Sequence, residues 1–174
     1  IDLLRWMMGG EVAEVFAYTG KLAHDMIQAE DTGIALVKFS GGGLGIIEGT
    51  TCVYGDNLEE TLYLFGQNGL AKAGGLSVNA IDEWRFADGA DDPEEVRRAC
   101  LETPADVYGF GHERLYADMI DAIRADRPPA ITAEDGKNAL ELVLAIYKSS
   151  LEGRPVSLPL GDFSTLDMAG RFES

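Results

Sequence analysis

The sequence predicts an α+β fold: a mostly antiparallel, open sheet of about six strands with helices on one of its faces. Two observations predict it. Apolar runs of strand length fill residues 12–86 and are separated by glycine-rich or Asn-Gly turns rather than by helices. Helical patterns then occupy residues 93–101, 112–125 and 132–153, so the strands come first and the helices follow.

The strands are predicted from alternating or continuously apolar segments that end at turn residues. They cover residues 12–19, 32–39, 44–52, 59–65, 70–73 and 78–86, with a short edge strand at 156–160. The segment from Ser40 to Gly43 joins two strands as a hairpin turn, because glycine supplies the positive φ angles that such turns need. Asn68-Gly69 favours a second tight reversal. We therefore expect a meander of hairpins.

The helices are predicted from capping residues and apolar stripes. Residues 2–8 form a short amphipathic segment that ends at Gly9-Gly10. Arg127-Pro128-Pro129 stops the helix that begins at His112, and Thr132 is a good N-cap for the longest helix. The tail, residues 161–174, shows no clear element and is expected to form an extended arm.

The predicted sheet is apolar on both faces. Ile34 and Leu36 alternate along one strand with Ala35, Val37 and Phe39. A sheet with one face in water should carry polar residues at alternate positions, and the helices can cover only one face. We therefore expect the other face to pack against another subunit, in a homo-oligomer, or against another domain. The alternative is that the chain's own long loops cover it.

Charge and cysteine content exclude several classes of function. The net charge is −16, from 30 acidic and 14 basic residues, so nucleic acid and anionic membranes are poor partners. No apolar run approaches the roughly 20 residues of a membrane helix. Cys52 and Cys100 are far apart and form no paired motif, so we expect two buried, unpaired cysteines in a cytoplasmic protein.

The sequence contains none of the common catalytic or cofactor-binding motifs. The glycine run from Gly41 to Gly49 contains no G-x-G-x-x-G, and a strand follows it where a dinucleotide-binding motif requires a helix. Only His24 and His112 are available as histidine ligands, and they are distant in sequence, so no metal site is predicted. No serine lies in a G-x-S-x-G turn. The chain is therefore expected to be inert on its own.

An ordered set of segments along nearly the whole chain resembles the Gfo/Idh/MocA family of oxidoreductases. The segments are residues 1–9, Glu30-Asp31-Thr32, Gly45-Ile46-Ile47-Glu48, Phe65-Gly66-Gln67-Asn68-Gly69, Gly111-His112 with Asp118 and Asp121-Ala122-Ile123, Arg127-Pro128-Pro129, Gly136-Lys137, Ala139-Leu140-Glu141 and 145–149. A narrower resemblance, to UDP-N-acetylglucosamine-derived uronate 3-dehydrogenases, comes from residues 79–86 and 107–112 and from the extended end.

The resemblance implies that different domains bind the cofactor and the substrate. The family's amino-terminal Rossmann domain binds NAD or NADP and carries a lysine, whereas residues 1–174 resemble its carboxy-terminal substrate and oligomerisation domain. The chain itself is then expected to bind no cofactor and to need that amino-terminal domain as a partner. Residues 1–9 resemble the helix after the family's active-site histidine, which would lie just before Ile1. The implied substrate is a sugar or nucleotide sugar whose ring hydroxyl is oxidised.

The candidate site residues follow from this resemblance. Asp2 would be the aspartate of the family's His-x-x-Asp motif and would support the histidine of the complete protein; the alternative is an exposed acid in a frayed turn. A loop that enters a helix N-terminus offers backbone N–H groups to substrate, through Tyr108, Gly109, Gly111 and His112. Alternatively, it is only a helix start. Arg85 would meet an anionic sugar or form a surface ion pair.

A function of another class fits the same sequence. A dimerising sheet that binds a sugar or another protein, without catalysis, would also lack catalytic motifs. The sequence that precedes Ile1 distinguishes the two, because a dinucleotide-binding motif followed by Glu-Lys-Pro and a histidine would indicate the enzyme.

Overall fold

The computed structural model describes residues 1–103 and 109–173. The chain divides into two compact units. One contains residues 1–53 together with 131–174, and the other contains residues 54–130.

Among the described residues, the first unit contains four strands and two α-helices, and the second contains three strands and two α-helices. In the first unit these are α1 (Asp2–Met8), β1 (Val12–Gly20), β2 (Thr32–Phe39), β3 (Leu44–Thr50), α4 (Ala133–Glu152) and β7 (Val156–Ser157), with a 3-10 helix at Thr165–Met168. In the second they are β4 (Leu62–Gly66), β5 (Gly69–Gly74), β6 (Ala80–Phe86), α2 (Pro93–Ala99) and α3 (Gly111–Ala125). The α+β class is confirmed.

The sheet of the first unit has the order β3-β2-β1-β7, and all its pairs are antiparallel. Val15 pairs with Val37 and Ala17 with Ala35, so these small side chains share one face and are buried. Helix α4 packs against β1, and its Leu142 is fully buried. The core of this unit therefore lies between one helix and one face of the sheet.

Two serines of α4 bond to the backbone of β1. The Ala17 amide donates a hydrogen bond to Ser149 Oγ at 3.0 Å, and the Thr19 amide donates one to Ser150 Oγ at 3.1 Å. Ser149 is fully buried, and its hydroxyl donates in turn to the Arg154 carbonyl at 2.8 Å. These bonds satisfy backbone groups that the short strand β7 does not reach, because β7 pairs only with residues 14–15 of β1.

The ends of α4 agree with the prediction. Thr132 Oγ1 accepts a hydrogen bond from the Asp135 amide, and the Asp135 side chain accepts one from the Thr132 amide, which forms a capping box. Gly153 ends the helix with a left-handed φ of 64°. Both signals are local, which is why the sequence alone reveals them.

The second unit contains a separate sheet of order β4-β5-β6, also antiparallel. Lys72 lies 2.9 Å from Asp82 and 3.6 Å from Glu59, and its ammonium group is 5.3 Å from the centre of the Tyr63 ring. Its hydrogen bond to Asp82 raises the pKa of Lys72, so the lysine stays charged. The lysine thus links β5 to β6 and to the segment that precedes β4.

The prediction of a single sheet of about six strands is wrong. Among the described residues the strands form sheets of four and three. Residues 51–61 separate β3 from β4, form no strand and are mostly exposed. They include turn-forming residues such as Gly55, which has a φ of 82°.

The prediction of buried cysteines is also wrong, because both thiols are exposed. Strand β3 ends at Thr50 rather than at Cys52, and Cys100 is the C-cap residue of α2. Each cysteine therefore lies just outside a regular element. The described part of the chain contains no helix long and apolar enough to cross a membrane.

We predict that Leu142→Ala lowers the free energy of unfolding by about 2–5 kcal/mol, because the substitution leaves a cavity under α4. Leu142 is 0% exposed, whereas Leu140 on the same helix is 57% exposed. The matched substitution Leu140→Ala is expected to cost less than about 1 kcal/mol. Urea unfolding measures both values, and equal losses would contradict this description of the core.

Candidate functional site

A cavity of about 360 Å³ lies in the first unit, between the sheet and α4. Its lining includes Ile1 before α1, residues 30–35 at the start of β2, residues 49–51 at the end of β3, and Tyr147 on α4. Most of the lining is apolar, with a few hydroxyl and carboxylate groups at one end. This combination is typical of pockets that bind small molecules.

Two glycines keep the floor of the cavity open. Gly33 and Gly49 are paired across β2 and β3, and both line the cavity. A Cβ built at Gly49 would meet no atom within 4 Å, and one built at Gly33 would meet Thr19 at 3.6 Å. A larger side chain at either position would therefore occupy space that a ligand can use.

Tyr147 and Glu30 form the polar pair of the cavity. The Tyr147 hydroxyl donates a hydrogen bond to Glu30 Oε1 at 2.5 Å. This bond, together with burial and the negative charge of Glu30, raises the pKa of Tyr147 to about 12. Tyr147 is therefore neutral at physiological pH and serves as a hydrogen-bonding group rather than as a base.

Asp31 organises the loop beside this pair. Its buried carboxylate accepts hydrogen bonds from the backbone amides of Leu22, Ala23 and His24, at 2.8–3.0 Å. Burial acts to raise the pKa of Asp31, but the three amides outweigh it and hold the pKa well below its usual value. The carboxylate is thus charged, and it folds residues 21–31 back onto the start of β2.

Two further side chains lie next to this carboxylate. His24 Nδ1 is 3.2 Å from Asp31 Oδ2 and 4.0 Å from Cys52 Sγ. The thiol is also 3.5 Å from the Thr32 hydroxyl and 3.8 Å from the Asp31 carbonyl oxygen. Among the described residues, these three form a group of metal-ligand type with donor atoms within 4.8 Å of one another.

Asp2 and Arg85, both predicted as site residues, lie at exposed positions. Asp2 is in the first turn of α1, its side chain is 55% exposed, and it lies 3.6 Å from Arg5. Arg85 is on β6, its side chain is 67% exposed, and its guanidinium is 2.6 Å from Glu83. Both side chains are surface groups of this chain, and their roles at a substrate site remain predictions.

Gly109, Gly111 and His112, three of the other predicted site residues, lie together at the start of α3. Gly109 has a left-handed φ of 62°, Gly111 is the first residue of the helix, and His112 follows in the first turn. Tyr108 lies outside the described residues. Gly109, Gly111 and His112 belong to the second unit, whereas Asp2 belongs to the first.

No site role is predicted for Tyr147, Glu30 or Asp31 from the sequence. Both Glu30-Asp31 and Tyr147 are within segments that carry the family resemblance, where they serve only as markers of strand and helix. Tyr147 and Glu30 are 117 residues apart, so spacing along the chain could not indicate their contact.

We predict that Asp31→Asn reduces the loss of stability in acid. A carboxyl whose pKa is lowered in the folded state contributes stability above its unfolded pKa of about 3.9 and loses it as pH falls towards the folded pKa. Urea unfolding from pH 7 down to pH 3 should therefore show a stability difference between wild type and variant that shrinks below about pH 4. Asp25→Asn, at an exposed position of the same loop, is the matched control and should show no such change. A difference that stays constant across this range would contradict the assignment.

Comparison with known proteins agrees with this architecture. Residues 1–158 match the Gfo/Idh/MocA profile described as the oxidoreductase family, C-terminal alpha/beta domain. The chain is 32% identical over 164 residues to myo-inositol 2-dehydrogenase of Thermotoga maritima, a match that covers 90% of this chain and 46% of that protein.

Two solved structures of the WlbA dehydrogenase, each in complex with NADH and UDP-GlcNAcA, are also similar. The protein from Bordetella pertussis is 41% identical with a TM-score of 0.82, over 92% of this chain and 45% of that chain. The protein from Chromobacterium violaceum is 38% identical with a TM-score of 0.79, over 92% and 44%. The chain thus spans about half the length of the relatives that it matches. It belongs to the Gfo/Idh/MocA oxidoreductase family and corresponds to the C-terminal alpha/beta domain of that family.

Proposed function

We propose that this chain is the substrate-binding and oligomerisation domain of an NAD(P)-dependent dehydrogenase that oxidises a ring hydroxyl of a nucleotide sugar. The observation that carries the proposal is the 41% identity, over 92% of the chain, to a dehydrogenase whose complex contains NADH and UDP-GlcNAcA. The same identity supports a uronate derived from UDP-N-acetylglucosamine as the substrate class.

The cavity supports a sugar as the ligand. Its volume of about 360 Å³ is at the lower end of the range for small-molecule pockets, which suits a sugar ring with its substituents. Glu30 offers carboxylate oxygens to ring hydroxyls, and Thr50 and Thr51 add hydroxyl groups to the lining. Ile47 on β3 and Val143 and Ile146 on α4 also line the cavity and would face the less polar side of such a ring.

The described residues do not fit a dinucleotide. Gly41, Gly42 and Gly43 lie in the hairpin turn between β2 and β3, so no helix N-terminus follows them to hold a pyrophosphate. Both sheets are antiparallel, whereas the dinucleotide fold needs parallel strands with helical crossovers. We therefore assign the cofactor, and the choice between NAD and NADP, to a separate domain of a longer protein. On this proposal the present chain alone is inactive.

Asp2 has a positioning role in this proposal. Ile1 lines the cavity, so a residue that precedes it in the longer protein would emerge beside the substrate. A histidine there would remove the proton of the ring hydroxyl, and Asp2 would orient that histidine. Gly109, Gly111 and His112 remain proposed contacts for a hydroxyl, carboxylate or phosphate of the substrate, as does Tyr108.

The outer face of the first sheet supports the oligomerisation role. Tyr18, Ile34, Leu36, Leu44 and Ile46 are all exposed there, on the face opposite the buried Val15 and Val37. An apolar surface of this kind is typical of a subunit interface, and a two-fold pairing of copies would cover it on both chains. The cytoplasmic location remains a prediction.

We predict that UDP-N-acetylglucosamine-uronate binds the chain in isothermal titration calorimetry without NADH, and that NADH alone does not bind. Tyr147→Phe should weaken this binding about 5–10-fold, because it removes a hydrogen bond of about 1 kcal/mol beside the ligand. Tyr54→Phe, at a fully exposed tyrosine, is the control and should bind as wild type does. Tight binding of NADH would contradict the proposal that a separate domain binds the cofactor. Binding of neither ligand would favour a non-catalytic dimerising module.

We predict that the chain sediments as a dimer or a larger oligomer at micromolar concentration. Leu36→Glu places a charge in the centre of the apolar face. It should raise the dissociation constant of the oligomer at least tenfold, because burying an unpaired charge is costly. Leu166→Glu, at an exposed leucine of the 3-10 helix, should leave the oligomer intact. A wild-type monomer would contradict the oligomerisation role and leave the substrate proposal unaffected.

A further inference from the structure

His24 and Asp31, from the loop before β2, meet Cys52, which follows β3, at one end of the first sheet. Asp31 immediately precedes β2, and Cys52 follows β3 by two residues. Because Thr32 and Thr50 are paired across these two antiparallel strands, the residues that flank them lie side by side. The hydrogen bonds that backbone amides donate to the Asp31 carboxylate then bring His24 over the same end of the hairpin.

We propose that this Cys52–His24–Asp31 cluster is a binding site for a divalent transition-metal ion, with zinc as the best match. The cluster combines a thiol, an imidazole and a carboxylate, which are the three donor types that zinc uses in proteins. The proposal concerns this domain by itself and depends on neither the dehydrogenase function nor the sugar.

The distances within the cluster are close to those of a zinc site. Zn–N and Zn–O bonds of about 2.0–2.2 Å and Zn–S bonds of about 2.3 Å place the ligand atoms of a tetrahedral ion roughly 3.3–3.6 Å apart. His24 Nδ1 lies 3.2 Å from Asp31 Oδ2 and 4.0 Å from Cys52 Sγ, and all three ligand atoms are within 4.8 Å of one another. A small rotation of the two more exposed side chains, His24 and Cys52, closes the remaining gap.

The surroundings hold one ligand in place and leave the other two ligands open to solvent. Asp31 is fixed by three backbone amides, so one ligand is already in place and charged. The His24 side chain is 36% exposed and Cys52 is exposed, which gives an ion a path from solvent. The hydroxyl of Thr32, 3.5 Å from the thiol, can support the sulfur as an outer partner. Three protein ligands leave a fourth position for water or an external group.

Binding would fasten the loop to the sheet. The Cys52 thiol would release its proton to solvent and bond to the ion as thiolate, while the ion would replace the contact between His24 and Asp31. Residues 21–31 would then be joined to the end of β3 by metal–ligand bonds, in addition to the hydrogen bonds that the Asp31 carboxylate accepts within the loop.

Titration of the chain with Co²⁺ tests the site, because cobalt replaces zinc and reports its ligands by absorption. We expect one Co²⁺ per chain, a thiolate-to-cobalt charge-transfer band in the near ultraviolet, and displacement by Zn²⁺. Cys52→Ser should abolish the charge-transfer band. Both Cys52→Ser and His24→Gln should weaken binding by more than about 100-fold, because the loss of an outer partner alone costs about 10–100-fold. Cys100→Ser, at the other exposed cysteine, is the matched control and should bind as wild type does.

A second readout keeps the test independent of how the variants fold. In the wild-type chain, Zn²⁺ should protect Cys52 from alkylation while Cys100 continues to react, as measured by peptide mass spectrometry. Absence of a charge-transfer band at millimolar Co²⁺, or equal alkylation of both cysteines with and without Zn²⁺, overturns the proposal.

Discussion

The first unit depends on the contact between α4 and β1. Burial of Leu142 and Ala145 against the small side chains of β1 supplies the apolar part of this contact. Two hydroxyls, from Ser149 and Ser150, supply the polar part by accepting hydrogen bonds from β1 amides. Because α4 is held in this position, Tyr147 reaches Glu30 across the cavity. The shape of the candidate site is thus a consequence of how one helix is attached to one strand.

Local signals in the sequence were sufficient to predict the α-helices and the longer strands, but not the 3-10 helix at Thr165–Met168, which lies in the tail that was expected to be an extended arm. The Thr132 cap, the Gly153 end of α4 and the turn between β2 and β3 each depend on a few neighbouring residues. Pairing between strands is not a local property. The alternation of Leu62 and Leu64 with their neighbours predicts a strand but does not state which strand lies next to it, so the separation into two sheets could not be predicted.

The candidate site was less accessible to prediction for the same reason. Tyr147 and Glu30 meet only because α4 returns across the sheet, and His24 meets Cys52 only because Asp31 folds the loop back. The cysteines were expected to be buried from the average behaviour of this residue type. Positions just beyond the ends of β3 and α2 override that average, because the chain there has left the packed elements.

The serine pair of α4 also has a consequence for aggregation. A strand edge with unpaired amides is a template on which another chain can add a strand. Strand β7 covers only two residues of β1, yet the amides of Ala17 and Thr19 beyond it are occupied by the hydroxyls of Ser149 and Ser150. A helix therefore protects this side of the sheet where a longer strand would otherwise be needed. Edge-to-edge addition of a foreign strand to this sheet is left to the opposite edge, β3, which pairs only with β2 among the described strands.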